Sequence, residues 1–358
     1  MHDIPILMLH TVNDRPLDNP MGVLSVSSQG LDAYLKVFKR WKYQMISMDD
    51  FLDGNYDKDR NFIVLTFDDG YKDNYTVALP ILRKYGARAT IFVNPAYTST
   101  KSDDSDWGFM TWEEIQMAEA SGVFDIQAHT MTHEFIFTSD KVIDYYTPDK
   151  FRKYYWLAWM LYPESPNQWN SKANEYKSMI PVGYPIFEYE RRISSRKFVP
   201  SQEYVDFLIE GYQNGTMNTA FSGNRGVFES EEEYERYVRW EIEECKAQLE
   251  EKLGKTIHTL CFPGGGYTEF ALDVAKNCGY RCYMTASRAR LGNNFTHLEE
   301  IQKGRFVCFN RTSFSLIHPG VLPDPFFDYW VAKLSLGAYQ KNKMYMVSKR
   351  LLSMILHG

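Results

Sequence analysis

Residues 62–93, FIVLTFDDGYKDNYTVALPILRKYGARATIFV, constrain the fold more than any other stretch of the 358-residue chain. Two runs rich in β-branched and aromatic residues, Phe62–Phe67 and Ala89–Val93, flank an amphipathic segment that stops at Lys84-Tyr85-Gly86. The stretch therefore reads as strand, loop, helix, strand, a βαβ unit. Gly86 suits the position just past a helix C-terminus, and Pro80 starts a fresh turn rather than interrupting one. Asp68-Asp69-Gly70 follows the first strand directly, where the loops of a parallel α/β fold carry chemistry.

Two neighbouring carboxylates at a strand end repel each other, so a positive partner is expected nearby. For a lone Asp-Asp-Gly the plainer account is a turn at Asp69-Gly70 with Asp68 capping the next helix. A second element changes the balance. The apolar run Val123–Ala128 leads into His129-Thr130-Met131-Thr132-His133, two imidazoles four residues apart, which places them on one face of a helix or helical turn. Such a pair with a carboxylate from elsewhere is a common cradle for a catalytic divalent metal.

Three motifs in order, Thr66-Phe67-Asp68-Asp69-Gly70, His129-Thr130-x-x-His133 and Cys261-Phe262-Pro263-Gly264-Gly265, resemble those of the polysaccharide deacetylases with the NodB homology domain, carbohydrate esterase family four. The resemblance covers roughly residues 5–137 and 230–320, and the first two motifs are the specific ones. It implies an irregular, incomplete parallel (β/α) barrel of about seven strands. It also implies a hydrolase that removes acetyl groups from N-acetylated sugars of a polysaccharide or glycan precursor, in cell-surface glycan biosynthesis. Asp69, His129 and His133 would bind one divalent ion, most plausibly Zn²⁺, with Asp68 as general base and the Gly264 amide facing the oxyanion. His10, Tyr71, Pro263 and Tyr267 stand beside these motifs as candidate substrate contacts, although His10, at the tip of the apolar run Ile6–Leu9, reads equally as a capped structural histidine. Phe314–His318 resembles the late motif of the family, in which a histidine ending an apolar strand acts as general acid. These residues read equally well as a surface turn before Pro319-Gly320, with Arg305-Phe306-Val307 as the last barrel strand.

The chain departs from the family at Cys261, where most members carry an arginine that orients the catalytic acid. A residue other than arginine is also seen in the branch resembling poly-N-acetylglucosamine deacetylases, so the departure leaves Asp68 without an identified orienting partner. Two other functional classes stay open: a non-catalytic glycan-binding relative, and a hydrolase of another C–N bond in a small amide or cyclic ureide.

The rest of the chain fits around this frame. Apolar residues make up 44% of it, enough for a sizeable core, and a formal charge of −6 argues against general nucleic-acid binding. The five cysteines lack metal-finger spacing and read as free thiols of a reducing, cytoplasmic compartment. No basic leader with a long apolar run opens the sequence, and no stretch is long enough to span a bilayer. Leu31, Tyr34, Leu35, Phe38 and Trp41 recur at helical spacing as the core face of a first outer helix, and Asp49 or Asp50 would cap the next one. Thr111-Trp112-Glu113-Glu114 and Ser230-Glu231-Glu232-Glu233 are capping boxes.

Residues 138–229 interrupt the α/β rhythm and read as a helical insertion rich in aromatics, among them Tyr154, Tyr155, Trp156, Trp159, Tyr162 and Trp169. These rings serve either as the insertion's own core or as stacking faces for sugars in a roof over the site. The basic run Arg191-Arg192 and Arg196-Lys197 could pair with phosphate or carboxylate. Residues 321–358 read as an amphipathic helical tail that docks on its own domain or on a membrane surface.

Overall fold

The computed structural model describes residues 4–14, 24–98, 107–164, 166–216, 220–285 and 294–313, with 343–344, 347–348 and 351 in the tail. Nine strands make its main sheet: β1 (Ile6–Leu9), β2 (Gln44–Ile46), β3 (Phe62–Phe67), β4 (Ala89–Val93), β5 (Phe124–Ala128), β6 (Thr259–Cys261), β7 (Cys282–Met284), β8 (Val307–Phe309) and β9 (Thr312–Ser313). Their order is β8-β7-β6-β5-β4-β3-β1-β9, with β2 beside the first half of β3, and every pairing is parallel. The continuous path from β8 to β1 is a curled half-barrel of seven strands, the fold that the resemblance implies.

Parallel pairing needs helical crossovers, and these bury both faces of the sheet. Accordingly β4 and β5 are buried along their whole length. Ser28–Arg40 turns Leu31, Tyr34, Leu35 and Phe38 inward, as their spacing requires. Both predicted capping boxes form, at Thr111/Glu114 and Ser230/Glu233. The short helix Met48–Asp53 is capped by Ser47 rather than by Asp49 or Asp50, because Asp50 sits at its third position and bonds back to the Ser47 amide. Gly86 ends Leu79–Tyr85 in the left-handed region, as expected of a residue in that place.

The sheet stops short of closing. Strands β8 and β9 lie at opposite ends of the hydrogen-bonded order, yet only Asn310 and Arg311 separate them in the chain. Three Cα–Cα steps of 3.8 Å reach no more than about 11 Å, so the two edges face each other across a narrow gap. Arg311 stands in that gap, nearly fully buried.

The insertion is mixed rather than purely helical. It begins with a long antiparallel hairpin, Phe135–Tyr145 paired with Pro185–Arg191, which starts two residues after His133. Helices Trp156–Leu161, Pro166–Ser171, Ala173–Met179 and Gln202–Asn214 and a smaller strand pair, Phe198–Pro200 with Gly226–Phe228, complete it. Tyr154, Trp156, Trp159 and Trp169 are buried in a core of their own, to which Tyr71, Tyr97 and Phe109 of the barrel side also contribute. All five cysteines are free and at least partly buried. No helix among the described residues is long and apolar enough to cross a membrane.

Candidate active site

The site forms where β3 and β5 end. The Asp68 amide still donates to Leu9 O at 2.9 Å, so Asp68 belongs to the sheet and does not cap a helix. Asp69 and Gly70 then take φ of 73° and 71°, turning the chain sharply enough to send the two carboxylates in different directions. The turn is tight: a Cβ on Gly70 would lie 3.3 Å from a Val93 methyl, in a backbone conformation that side chains disfavour.

Asp68 points into the gap of the barrel. Arg311 grips both its oxygens, Nη1 to Oδ1 at 2.6 Å and Nη2 to Oδ2 at 2.9 Å, and is itself held by Thr285 O at 3.2 Å. His10 Nε2 stands 3.8 Å from the same carboxylate. Burial alone would raise the Asp68 carboxyl, but Arg311, with His129 and His10, holds it below the ordinary carboxylate range. The orienting arginine missing at Cys261 is thus replaced from a different strand end. Its sequence signal is slight: a lone cation between two short apolar runs.

Asp69 points the other way. Its Oδ1 is 3.3 Å from His129 Nε2 and 3.7 Å from His133 Nε2, and no donor reaches it although it is buried. One ligand atom from each of the three residues lies within 4.8 Å of the others. The segment that carries the two histidines is not the expected helical turn. Thr130 adopts φ of 62°, and its hydroxyl closes on Thr132 O at 2.6 Å, so the imidazoles converge through a kinked loop. Glu241, from a wide turn at Trp240–Glu244, anchors that loop through the Thr132 amide at 2.8 Å and the Thr132 hydroxyl. Burial pushes the Glu241 carboxyl up to about 7, against the hydrogen bonds from Thr132 and Tyr237. Tyr97 accepts from the His133 amide at 2.7 Å.

The ring partners set the tautomers. His129 Nδ1 is 2.7 Å from Cys261 O, which can only accept, so Nδ1 carries a proton, and the neutral ring would present an Nε2 lone pair toward Asp69. In that neutral form the lone pair and the orphaned carboxylate oxygen repel unless a cation lies between them; a proton on Nε2 is one such cation, and a divalent ion is another that this donor set fits. His133 differs: its Nδ1 is 2.8 Å from Arg191 Nη1, which can only donate. Burial, followed by that guanidinium, holds His133 well below the usual imidazole value.

The remaining candidates fall at different depths. Gly264 lies at the turn after β6 with φ of 59°, and a Cβ there would come 2.6 Å from Arg191 Nε. Pro263 is buried in that turn. Tyr71 is buried, stacked on Phe109 with ring centres 5.2 Å apart. Tyr267 packs its ring against Phe262 and Tyr283. His318 lies outside the described residues, which place a strand at Thr312–Ser313 just ahead of it. Sequence reasoning noted Arg191 only as one of a basic pair; it is the cross-strand partner of Phe135, and this register aims it at His133.

The family model for polysaccharide deacetylase matches residues 55–154 and 219–283, which include Asp68, Asp69, His129, His133 and the Pro263–Gly265 turn. YxkH of Bacillus subtilis, assigned to the polysaccharide deacetylases, is 29% identical over 133 residues; the match takes in 36% of this chain and spans less than half, 43%, of that relative's length. Among solved structures, a de-N-acetylase from Aggregatibacter actinomycetemcomitans superposes with a TM-score of 0.52 at 16% identity, covering 91% of this chain and 99% of that one. The BpsB deacetylase domain of Bordetella bronchiseptica gives 0.51 at 16% identity, over 87% and 96% of the two chains. IcaB of Ammonifex degensii gives 0.50 at 17%, over 93% and 98%. At these identities the structural likeness is one of fold.

Proposed function

Since the chain belongs to the polysaccharide deacetylase family, we propose that it is a metal-dependent hydrolase that releases acetate from N-acetylated sugars of a glycan or glycan precursor. The observation that carries this reading is the buried, donorless Asp69 Oδ1 facing two imidazole nitrogens, one residue from a carboxylate clamped by arginine. Asp69, His129 and His133 would hold the ion. A divalent ion such as zinc would supply Lewis acidity that makes water acidic near neutrality and polarises an acyl carbonyl.

The residues do the rest. Asp68 accepts the proton of the attacking water; its salt bridge to Arg311 keeps it ionised and aims it. A carboxylate so stabilised is a weak base, which is why the reading needs a cation nearby. The left-handed turn at Gly264 lets a backbone amide approach the acyl oxygen as negative charge develops. The proton held by Asp68 is then available to the departing amine, with His318 a second candidate donor. Asp69 and the Thr130–Glu241 bracket fix the imidazoles and contribute no proton transfer of their own.

The test is deacetylation by zinc-, cobalt- and nickel-reconstituted protein across N- and O-acetylated sugars, free and carrier-linked, with acetate and free amine both measured. Metal-dependent amine release from N-acetylated glycans supports the reading. Glycan binding without release would favour a non-catalytic relative.

A further inference from the structure

Arg191 stands at the site without an ion-pair partner among the described residues, unlike Arg311. The other arginines of the same basic run are satisfied: Arg192 grips Glu229 through both terminal nitrogens, and Arg196 pairs with Glu231 at 3.5 Å. Arg311, the other guanidinium of the site, is clamped on Asp68. Among the described residues no carboxylate forms an ion pair with Arg191. Its guanidinium lies over the Phe135 ring at 3.5 Å, beside the Tyr155 hydroxyl, and spends one N–H on His133 Nδ1 at 2.8 Å.

That last contact cannot survive metal loading. An imidazole that ligates through Nε2 carries its proton on Nδ1, and an N–H opposite a guanidinium N–H sets two donors against each other. The guanidinium must then leave His133 while the Phe135 face keeps it near the site, as a cation–π platform does. The charge count points the same way. Arg311 cancels Asp68, and although Glu190 acts on Arg191 as Asp69 does, a divalent ion with Arg191 still outweighs these two acids, so a loaded site carries excess positive charge that attracts anions. The turn opposite leaves space for the arginine only because residue 264 lacks a Cβ.

We propose that Arg191 is a specificity-determining residue that receives an anionic group of the substrate, a carboxylate or a phosphate monoester borne near the acetylated amine, so that the site prefers acidic to neutral acetylated glycans. The inference rests on the hydrolase reading above and adds the substrate class. A planar guanidinium takes either anion through two parallel N–H bonds, whereas a lysine supplies only a point charge.

The experiment compares zinc-loaded wild type, Arg191→Gln and Arg191→Lys on neutral N-acetylglucosamine oligosaccharides and on the same oligosaccharides carrying either a uronic acid or a phosphate monoester. Wild type is expected to favour one acidic series at least tenfold in kcat/KM, through KM, and the two arms tell carboxylate from phosphate. Arg191→Gln loses the preference and Arg191→Lys keeps part of it. Equal use of neutral and acidic substrates by wild type, or an undiminished preference in Arg191→Gln, overturns the proposal. Zinc affinity, read by chelator competition without substrate, is expected to tighten at least threefold in Arg191→Gln because ligation no longer breaks the His133 contact; unchanged or weaker zinc binding overturns it too. If no substrate is hydrolysed, yet a uronic acid oligosaccharide binds zinc-loaded wild type at least tenfold more tightly than Arg191→Gln, the anion site stands and the hydrolase reading falls.

Discussion

The barrel and the insertion meet at one place and build it by different means. The barrel core is mainly aliphatic, with Ile63 and Leu65 buried along the strand that leads into the acids, Ile126 along the one that leads into His129, and Ile91 on the strand between them. The insertion core is largely aromatic, with Tyr154, Trp156, Trp159, Trp169 and Phe187. The barrel delivers Asp68 and His129 from the last rungs of a hydrogen-bonded sheet and Asp69 from the turn directly after, so their separation is fixed by backbone geometry. The insertion reaches the same spot with side chains of a hairpin, Phe135 and Arg191. The contrast suggests a division of labour: the sheet sets the chemistry, and the insertion sets what approaches it.

Asp68→Asn probes the barrel's side of that division with the largest expected effect. It removes the proposed base but leaves Asp69, His129 and His133 in place, so turnover should fall about 10²–10⁴-fold while metal content, measured by elemental analysis, stays at the wild-type level. His133→Ala should lose both. Normal turnover in Asp68→Asn would take the chemistry away from the strand end and collapse the contrast.

Arg311→Met comes next. It leaves the Asp68 charge buried without a partner, and breaking such a pair costs about 3–5 kcal/mol of stability in urea unfolding. Arg191→Gln, which removes a cation that forms no ion pair among the described residues, should cost far less. The pH dependence separates them further. Because Asp68 is depressed in the folded protein, its contribution to stability is present above the ordinary carboxylate value of 3.8 and is lost as pH falls through the lower folded value. That acid-side loss should shrink in Arg311→Met and persist in Arg191→Gln. The same behaviour in both would mean that the two arginines play equivalent parts.

Trp156→Ala tests the insertion's independence. The ring is fully buried, against Phe135 at 5.1 Å and Tyr189 at 4.4 Å between centres, and truncation should cost about 3–5 kcal/mol. Hydrogen exchange should quicken across 135–214 and leave β3 to β5 protected. Equal loss of protection in both regions would show one cooperative unit, coupled through Tyr71, Tyr97 and Phe109.

These expectations also mark how far the sequence could be read. Residues 62–93 give the parallel α/β class because apolar period and turn residues are local signals. The three-residue cluster Asp69, His129, His133 was legible because motif order and spacing stand in for the strand ends that bring them together. The kink at Thr130 was not, since an i, i+4 pair suggests a helix and a left-handed threonine has no compositional mark. Arg311 escaped because its role depends on two sheet edges facing each other across a gap, a property of curvature. Arg191 was visible only as half of a basic pair, and the hairpin register that separates it from Arg192 spans more than fifty residues of sequence.

The smallest expected effect gives the finest comparison, because it makes the same chemical change on each side. Thr111 caps a barrel helix by accepting from the Glu114 amide at 3.1 Å, and Ser201 caps an insertion helix by accepting from the Tyr204 amide at 3.2 Å. Replacing either by alanine removes one acceptor for an otherwise orphaned amide and should cost about 1 kcal/mol. Where that loss appears is the point. If the barrel is the unit whose melting ends activity, Thr111→Ala lowers the main unfolding midpoint. Ser201→Ala should instead lower only the local opening energy of the insertion, seen as faster amide exchange in 202–214 at an unchanged midpoint. Matching midpoint shifts in the two variants would mean that aromatic and aliphatic cores melt together, and that the insertion supports the site's stability as well as its access.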